Sequence, residues 1–294
     1  MTTAARTATL CAALGLTFAA PPAPGHAELI VDWGGEHVTG NTNFSRSQTS
    51  ATGLYNADAS TDARRGLAFD TDTPVIAIGT TAGASVYGGT SAEFYGGMAL
   101  TLYDTETAGS FSSARINQSG TSDRLQLVAS NPAAPAAFHN VFLWKKADFL
   151  AGSTAPAVTF DNTSTISVTV PSNNGPLLGR YVVDDGGVLY ISQDTFDGST
   201  SGDKTLAPAG KNWAPYSPAA LALDFDADAA TFAPHTFTDV RAAGYYLEQD
   251  AIAAGSGNFT AVVTGFEVNA VIPEPASAAL LTTGLALLAR RRAR

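Results

Sequence analysis

Arg180-Tyr181-Val182-Val183-Asp184-Asp185-Gly186-Gly187-Val188-Leu189-Tyr190-Ile191-Ser192 is the stretch that settles the fold class. Two runs rich in β-branched and aromatic residues flank Asp-Asp-Gly-Gly, whose residues tolerate the positive φ that a tight hairpin turn needs. The spacing predicts an antiparallel hairpin. Outward from it the same pattern repeats in short pieces. Glu28 to Trp33, Thr73 to Ile78, Gly97 to Tyr103, Val158 to Phe160, Ile166 to Val170 and Ala220 to Leu223 read as strands, as do Ala242 to Leu247 and Phe259 to Val263. Arg115 to Gln118, Arg124 to Ala129 and Thr264 to Val271 alternate polar with apolar residues, the period of a half-buried strand.

Val141-Phe142-Leu143-Trp144 is continuous and apolar, as expected of a strand covered on both faces. Lys145 to Leu150 has room for one helical turn, Asn41 to Asp62 reads as loop with one irregular strand, Pro171 to Pro176 as a turn, and Asp194 to Pro218 as loop. Nowhere between Glu28 and Val271 does an amphipathic helix pattern persist for three turns. About twelve short strands predict an all-β, two-sheet sandwich, with a jelly roll as the expected form.

The two ends read differently from the middle. Thr7 to Ala20 is apolar behind Arg6, Pro21, Pro22 and Pro24 break it, and Gly25-His26-Ala27 offers small residues for cleavage. Residues 1–27 are therefore expected to be a signal peptide, with Glu28 as the first mature residue and cutting after Ala19 or Ala20 as the other option. At the other end Ile272-Pro273-Glu274-Pro275 precedes Ala276 to Ala289, which carries no charge, and then Arg290, Arg291, Arg292 and Arg294. As a helix the apolar run is about 21 Å long, short of a ~30 Å hydrocarbon core. The arginines act as a membrane stop, because a basic cluster beside an apolar helix end is held on the cytoplasmic side. Pro273 and Pro275 keep that helix from extending backwards.

This tail resembles the PEP-CTERM sorting signal of Gram-negative bacteria, with Pro273, Glu274 and Pro275 as its signature. The resemblance implies an exported protein held by a short hydrophobic transmembrane helix. It also implies an exosortase, a membrane transpeptidase-like enzyme, that cuts near Pro-Glu-Pro. Signal peptidase and the secretory translocon would be earlier partners, and the destination the cell surface or exopolysaccharide matrix. It covers 272–294 and is silent about residues 28–271, the passenger.

The whole chain has 16 basic and 26 acidic residues. Without Arg6, the four tail arginines and Glu274, the passenger has 11 basic and 25 acidic residues, a net charge near −14. Such a surface repels nucleic acid and anionic lipid, which excludes a nucleic-acid-binding role, and it could attract divalent cations. Cys11 is the single cysteine and lies in the signal segment. The mature chain therefore has no disulfide, thiolate nucleophile or cysteine metal site.

Chemistry-bearing motifs are few. His37, His139 and His235 lack partners at metal-ligand spacing and read as structural or surface residues. No Gly-x-Ser-x-Gly elbow is present. Gly83, Gly88, Gly89, Gly96 and Gly97 have no lysine or helix to build a phosphate loop and read as turns. Asp224-Phe225-Asp226-Ala227-Asp228 could wrap a calcium ion, making Asp224, Asp226 and Asp228 the candidate ligands. It is not an EF-hand, since Ala229 and His235 stand where Gly and Glu are needed. Trp213 and Tyr216, in a proline-rich stretch, are the candidates for stacking on sugar rings, whereas Trp33 and Trp144 fall in strands and belong to the core.

Gly244-Tyr245-Tyr246-Leu247-Glu248 ahead of Phe266-Glu267-Val268-Asn269-Ala270 also resembles the end of carbohydrate-binding jelly rolls, over roughly a third of the passenger. The sequence thus points to a non-enzymatic structural or glycan-contacting module of the surface or exopolysaccharide matrix. Its alternative is a secreted carbohydrate-active enzyme using paired carboxylates. A passive matrix filler is the third reading.

Overall fold

The computed structural model describes residues 26–34, 45–47, 64–72, 76–77, 93–102, 113–119, 122–130, 136–150, 157–171, 176–219, 222–253 and 258–272. The expected signal segment (save His26 and Ala27), His37 and the whole tail beyond Ile272 lie outside these residues. Among the described residues the chain is all-β, with strands β1 Ala27–Gly34, β2 Ser45–Ser47, β3 Arg64–Asp70, β4 Ile76–Ala77, β5 Glu93–Leu102 and β6 Ser113–Ser119. β7 Ser122–Ser130, β8 Ala136–Lys145, β9 Thr165–Val170, β10 Leu178–Asp185, β11 Val188–Asp197 and β12 Gly202–Leu206 follow. β13 Asn212–Pro215, β14 Ala233–Pro234, β15 Val240–Ile252, β16 Asn258–Val263 and β17 Gly265–Val271 complete the set. A single 3₁₀ turn, Lys146–Asp148, follows β8.

The pairing is antiparallel throughout. One large sheet has the order β14-β13-β11-β10-β15-β8-β5-β3, with β4 beside β5. Two four-stranded sheets, β1-β17-β9-β12 and β16-β7-β6-β2, form the second layer. Only Thr264 separates β16 from β17, so one run of chain passes from one small sheet into the other. Ile30, Trp33, Ile166, Val168, Phe266 and Val268 of this layer meet Phe138, Phe142, Trp144 and Tyr245 of the large sheet in one core. The Trp144 and Phe266 rings stack at 4.1 Å across it. Each such side chain contributes about 1.5–3 kcal/mol on burial.

β10 and β11 form the hairpin that the sequence predicts. Asp185 pairs with Val188, and Gly186 and Gly187 sit at φ 65° and 96°, the two left-handed positions of a type I′ turn. The Gly187 amide donates to Asp184 Oδ1 at 2.7 Å, which fixes the turn. β8 is covered on both faces as its apolar run requires. Phe142 and Trp144 enter the main core, while Val141 and Leu143 join a second cluster with Tyr216, Phe225, Phe232 and Tyr246 on the sheet's outer face. Residues 216–219 and 222–232 therefore lie over the large sheet as a strap.

Several expectations need correction. β3 and β12 were not foreseen: Gly202–Leu206 is a polar edge strand in which Leu206 alone is buried, so it has no apolar alternation to read. The stretch 194–218 holds strand residues of β11, β12 and β13 rather than loop throughout. Ala220 to Leu223 is no described strand; what is seen is a bridge between Ala219 and Ala222. Of the expected strand Thr73 to Ile78, Ile76 and Ala77 form β4 and the other positions lie outside the described residues.

β1 and β17 pair from Ala27↔Val271 to Gly34↔Gly265, so the two ends of the sandwich run side by side. Val271 is held again from β17's other side, where it exchanges two hydrogen bonds with Thr159 at 2.9 and 3.0 Å.

Candidate functional site

The outer face of the sheet β1-β17-β9-β12 is built by strand alternation. In β9, Ile166, Val168 and Val170 point into the core, leaving Thr165, Ser167 and Thr169 outward. Register aligns them with their neighbours. Asp32, Glu267, Ser167 and Thr205 form one row across the four strands. Gly34, Gly265, Thr169 and Asp203 form the next, and Leu29, Asn269 and Thr165 the third. The rows are laced together: Ser167 Oγ and Thr205 Oγ1 are 3.0 Å apart, Thr169 Oγ1 donates to Asp203 Oδ1 at 2.7 Å, and Asn269 Nδ2 donates to Thr165 Oγ1 at 3.1 Å.

No position in these rows carries a lysine or arginine. Lys204, between Asp203 and Thr205 on β12, lies in register with inward-facing Val168 and donates to Thr200 Oγ1. Asp32 and Glu267 directly oppose each other, an arrangement of like charges that costs free energy. Burial first, and then Asp32 and Asp203, hold the Glu267 carboxyl above the usual carboxylate range. The described ion pairs, Lys145–Asp72, Lys211–Asp194 and Arg241–Asp239, and the His235–Asp185 hydrogen bond all lie elsewhere. The result is a hydroxyl-, amide- and carboxylate-bearing plane, with Leu29 at its edge, in which each side chain is partly or largely exposed.

A second polar group sits on the large sheet, beneath the strap. Tyr246 Oη donates to Glu248 Oε2 at 2.6 Å and lies 2.8 Å from His139 Nδ1, which must then donate to it. Arg180, opposite Tyr246 on β10, donates through Nη1 to the Ser192 and Gln193 carbonyls at 2.9 Å. Its guanidinium lies over the Phe225 and Phe232 rings at 5.5 and 5.9 Å. Burial lowers the Arg180 pKa, Glu248 opposes that fall, and burial raises that of Tyr246 further from ionisation. His139, Arg180 and Glu248 are 6, 7 and 8 % exposed, so a polymer cannot reach them. This network pins the strap.

The aromatic candidates are corrected. Trp213 and Tyr216 are buried at 2 and 5 % exposure and present no free ring face. Trp213 packs edge-on against Phe237 and donates Nε1 to Pro208 O, while Tyr216 Oη donates to Leu223 O at 2.6 Å. The apolar part of each ring found core that the prolines around it did not reveal. Trp33 and Trp144 are core residues, as expected.

Asp224, Asp226 and Asp228 are exposed, and Asp226 Oδ1 is occupied by the amides of Asp228 and Ala229 at 3.0 Å. They shape a turn, and among the described residues no group of three or more His, Cys, Asp or Glu is placed to hold a metal ion. His235 bonds Asp185 Oδ2 at 3.0 Å and stacks on Tyr190, bracing the hairpin tip. Pro273, Glu274, Pro275 and Arg290, Arg291, Arg292 and Arg294 lie outside the described residues. Of the polar plane, the sequence displayed the alternation of Thr165, Ser167 and Thr169; the neighbours that complete it come from β12 and from β1 and β17, the strands at the two ends of the sandwich.

No protein-family model, curated protein or solved structure matches the chain.

Proposed function

We propose that the chain is an exported surface or exopolysaccharide-matrix protein, sorted by its tail and cut by an exosortase, whose sandwich contacts polysaccharide without turning it over. The observation that carries this reading is the polar plane of β1, β17, β9 and β12. Sugars present hydroxyl donors and acceptors in a row, and a plane of hydroxyls, amides and carboxylates can satisfy them without a pocket. The closure of the fold by β1 and β17 supports the sorting half, since removal of residues before Glu28 and after Ile272 costs only the Ala27↔Val271 pair and leaves the pairing from Glu28↔Ala270 to Gly34↔Gly265 in place. A jelly-roll path for the two layers belongs to the same proposal. Asp32 and Glu267 are the facing carboxylates nearest to an enzymatic pair, but they lie on an open plane, where water competes with any acid catalysis.

The test is made in the producing cell with Pro273→Ala, Glu274→Ala and Pro275→Ala combined. The native chain is expected in the matrix fraction without its arginine cluster, and the variant to stay with the membrane at full length. Equal release of both would contradict the sorting reading.

A further inference from the structure

We infer that the polar plane of β1, β17, β9 and β12 is selective for a polysaccharide bearing free amino groups, a cationic amino-sugar polymer, over neutral or uronate-bearing ones. This rests on the reading of the plane as a polysaccharide contact and adds its charge class. Asp32, Glu267 and Asp203 stand in two adjacent rows, and no lysine or arginine shares them. Neighbouring strands are about 4.8 Å apart, so the opposed carboxylates of Asp32 and Glu267 repel each other in the free protein. An ammonium group placed between them removes that repulsion on binding, whereas a uronate or sulfate adds to it.

The other side chains of the plane fit the same partner. Ser167, Thr205, Thr169, Thr165 and Asn269 each keep donor or acceptor capacity beyond the one bond that links them to a neighbour. They can meet the uncharged hydroxyls of the sugar ring while the carboxylates meet the amines. Gly34 and Gly265 leave the row beside Thr169 low, which gives an extended chain a level path.

An acidic protein attracts polycations everywhere on its surface, so the test must separate the plane from bulk charge. The full chain, purified in detergent, is titrated at pH 6 with a soluble glucosamine polymer carrying free amines, with its N-acetylated form, and with a polyuronate. The amine polymer is expected to bind at least roughly ten-fold more tightly than the N-acetylated form, and the polyuronate not at all. Asp32→Asn with Glu267→Gln should remove that preference, while Asp224→Asn with Asp228→Asn, the same charge change on the exposed strap turn, should leave it. Equal loss from the two double variants would overturn the inference, as would equal binding of the amine and N-acetylated polymers. In that last case the polysaccharide-contact reading would stand. Binding of none of the three polymers would sink both.

Discussion

At the residue scale, Glu267 and Tyr246 carry opposite lessons about polar groups in a β-sandwich. Glu267 is outward, and burial first, then Asp32 and Asp203, raise its folded pKa. It therefore binds a proton more readily folded than unfolded. The stabilisation this brings is fully present below the unfolded value near 4.5 and is lost as pH rises through the folded pKa. Lowering pH from 7 toward 4.5 should accordingly raise Tm more in the native chain than in Glu267→Gln, by an amount worth less than about 1 kcal/mol, because solvent screens the site. Parallel pH profiles would show that neither the burial nor the crowding of Glu267 has energetic weight. Tyr246 is the reverse case: its hydroxyl joins buried His139 to buried Glu248. Tyr246→Phe should cost about 1–3 kcal/mol in urea denaturation, since both partners keep their burial and lose a bond. A loss under about 0.5 kcal/mol would mean that the network does not hold the strap.

At the element scale, β8 is where the fold is least tolerant. β15 and β5 pair with it on either side, and both approach it through glycine. A Cβ on Gly244 would lie 1.8 Å from the Phe142 carbonyl oxygen, and one on Gly96, at φ 114°, would lie 2.2 Å from that of Val141. Gly244→Ala is thus expected to cost at least about 3 kcal/mol or to prevent folding. Gly186→Ala, in the open hairpin turn with nothing within 4 Å of its Cβ, should cost only the left-handed backbone penalty of about 1–2 kcal/mol. Thermal denaturation that ranks the two the other way would contradict this account of β8. These elements also show what a sequence can disclose. β8 and the β10–β11 hairpin were legible because apolar runs and Asp-Asp-Gly-Gly are local signals. β12 was hidden because an edge strand needs no apolar alternation, and the burial of Trp213 and Tyr216 was hidden because the residues that cover them, Phe237 for one and Phe225 and Tyr246 for the other, come from separate segments that carry no shared local pattern.

At the scale of the whole molecule, the two faces of the sandwich have been given different work. The strap closes the outer face of the large sheet, sealing Arg180, His139 and Glu248 from water. The small sheet leaves its outer face open and polar. The register that composes this face, Asp32 to Glu267 to Ser167 to Thr205, joins strands from both ends and the middle of the chain. That is why the sequence could supply its members but not the plane. Closing the sheet with the first and last strands also places the joints to residues 1–26 and 273–294 next to each other. Tethering and release through the tail would then act at one corner of the sandwich, leaving its core and its polar plane undisturbed.

The most direct measurement of the central claim is carboxyl footprinting of the full chain with and without the exopolysaccharide of the producing cell. Carbodiimide labelling of Asp32, Asp203 and Glu267 should fall on addition of the polymer, while labelling of Asp224, Asp226 and Asp228 on the strap turn stays unchanged. Protection of the strap aspartates with Asp32, Asp203 and Glu267 still fully labelled would contradict the claim that the small sheet's outer face is the contact surface.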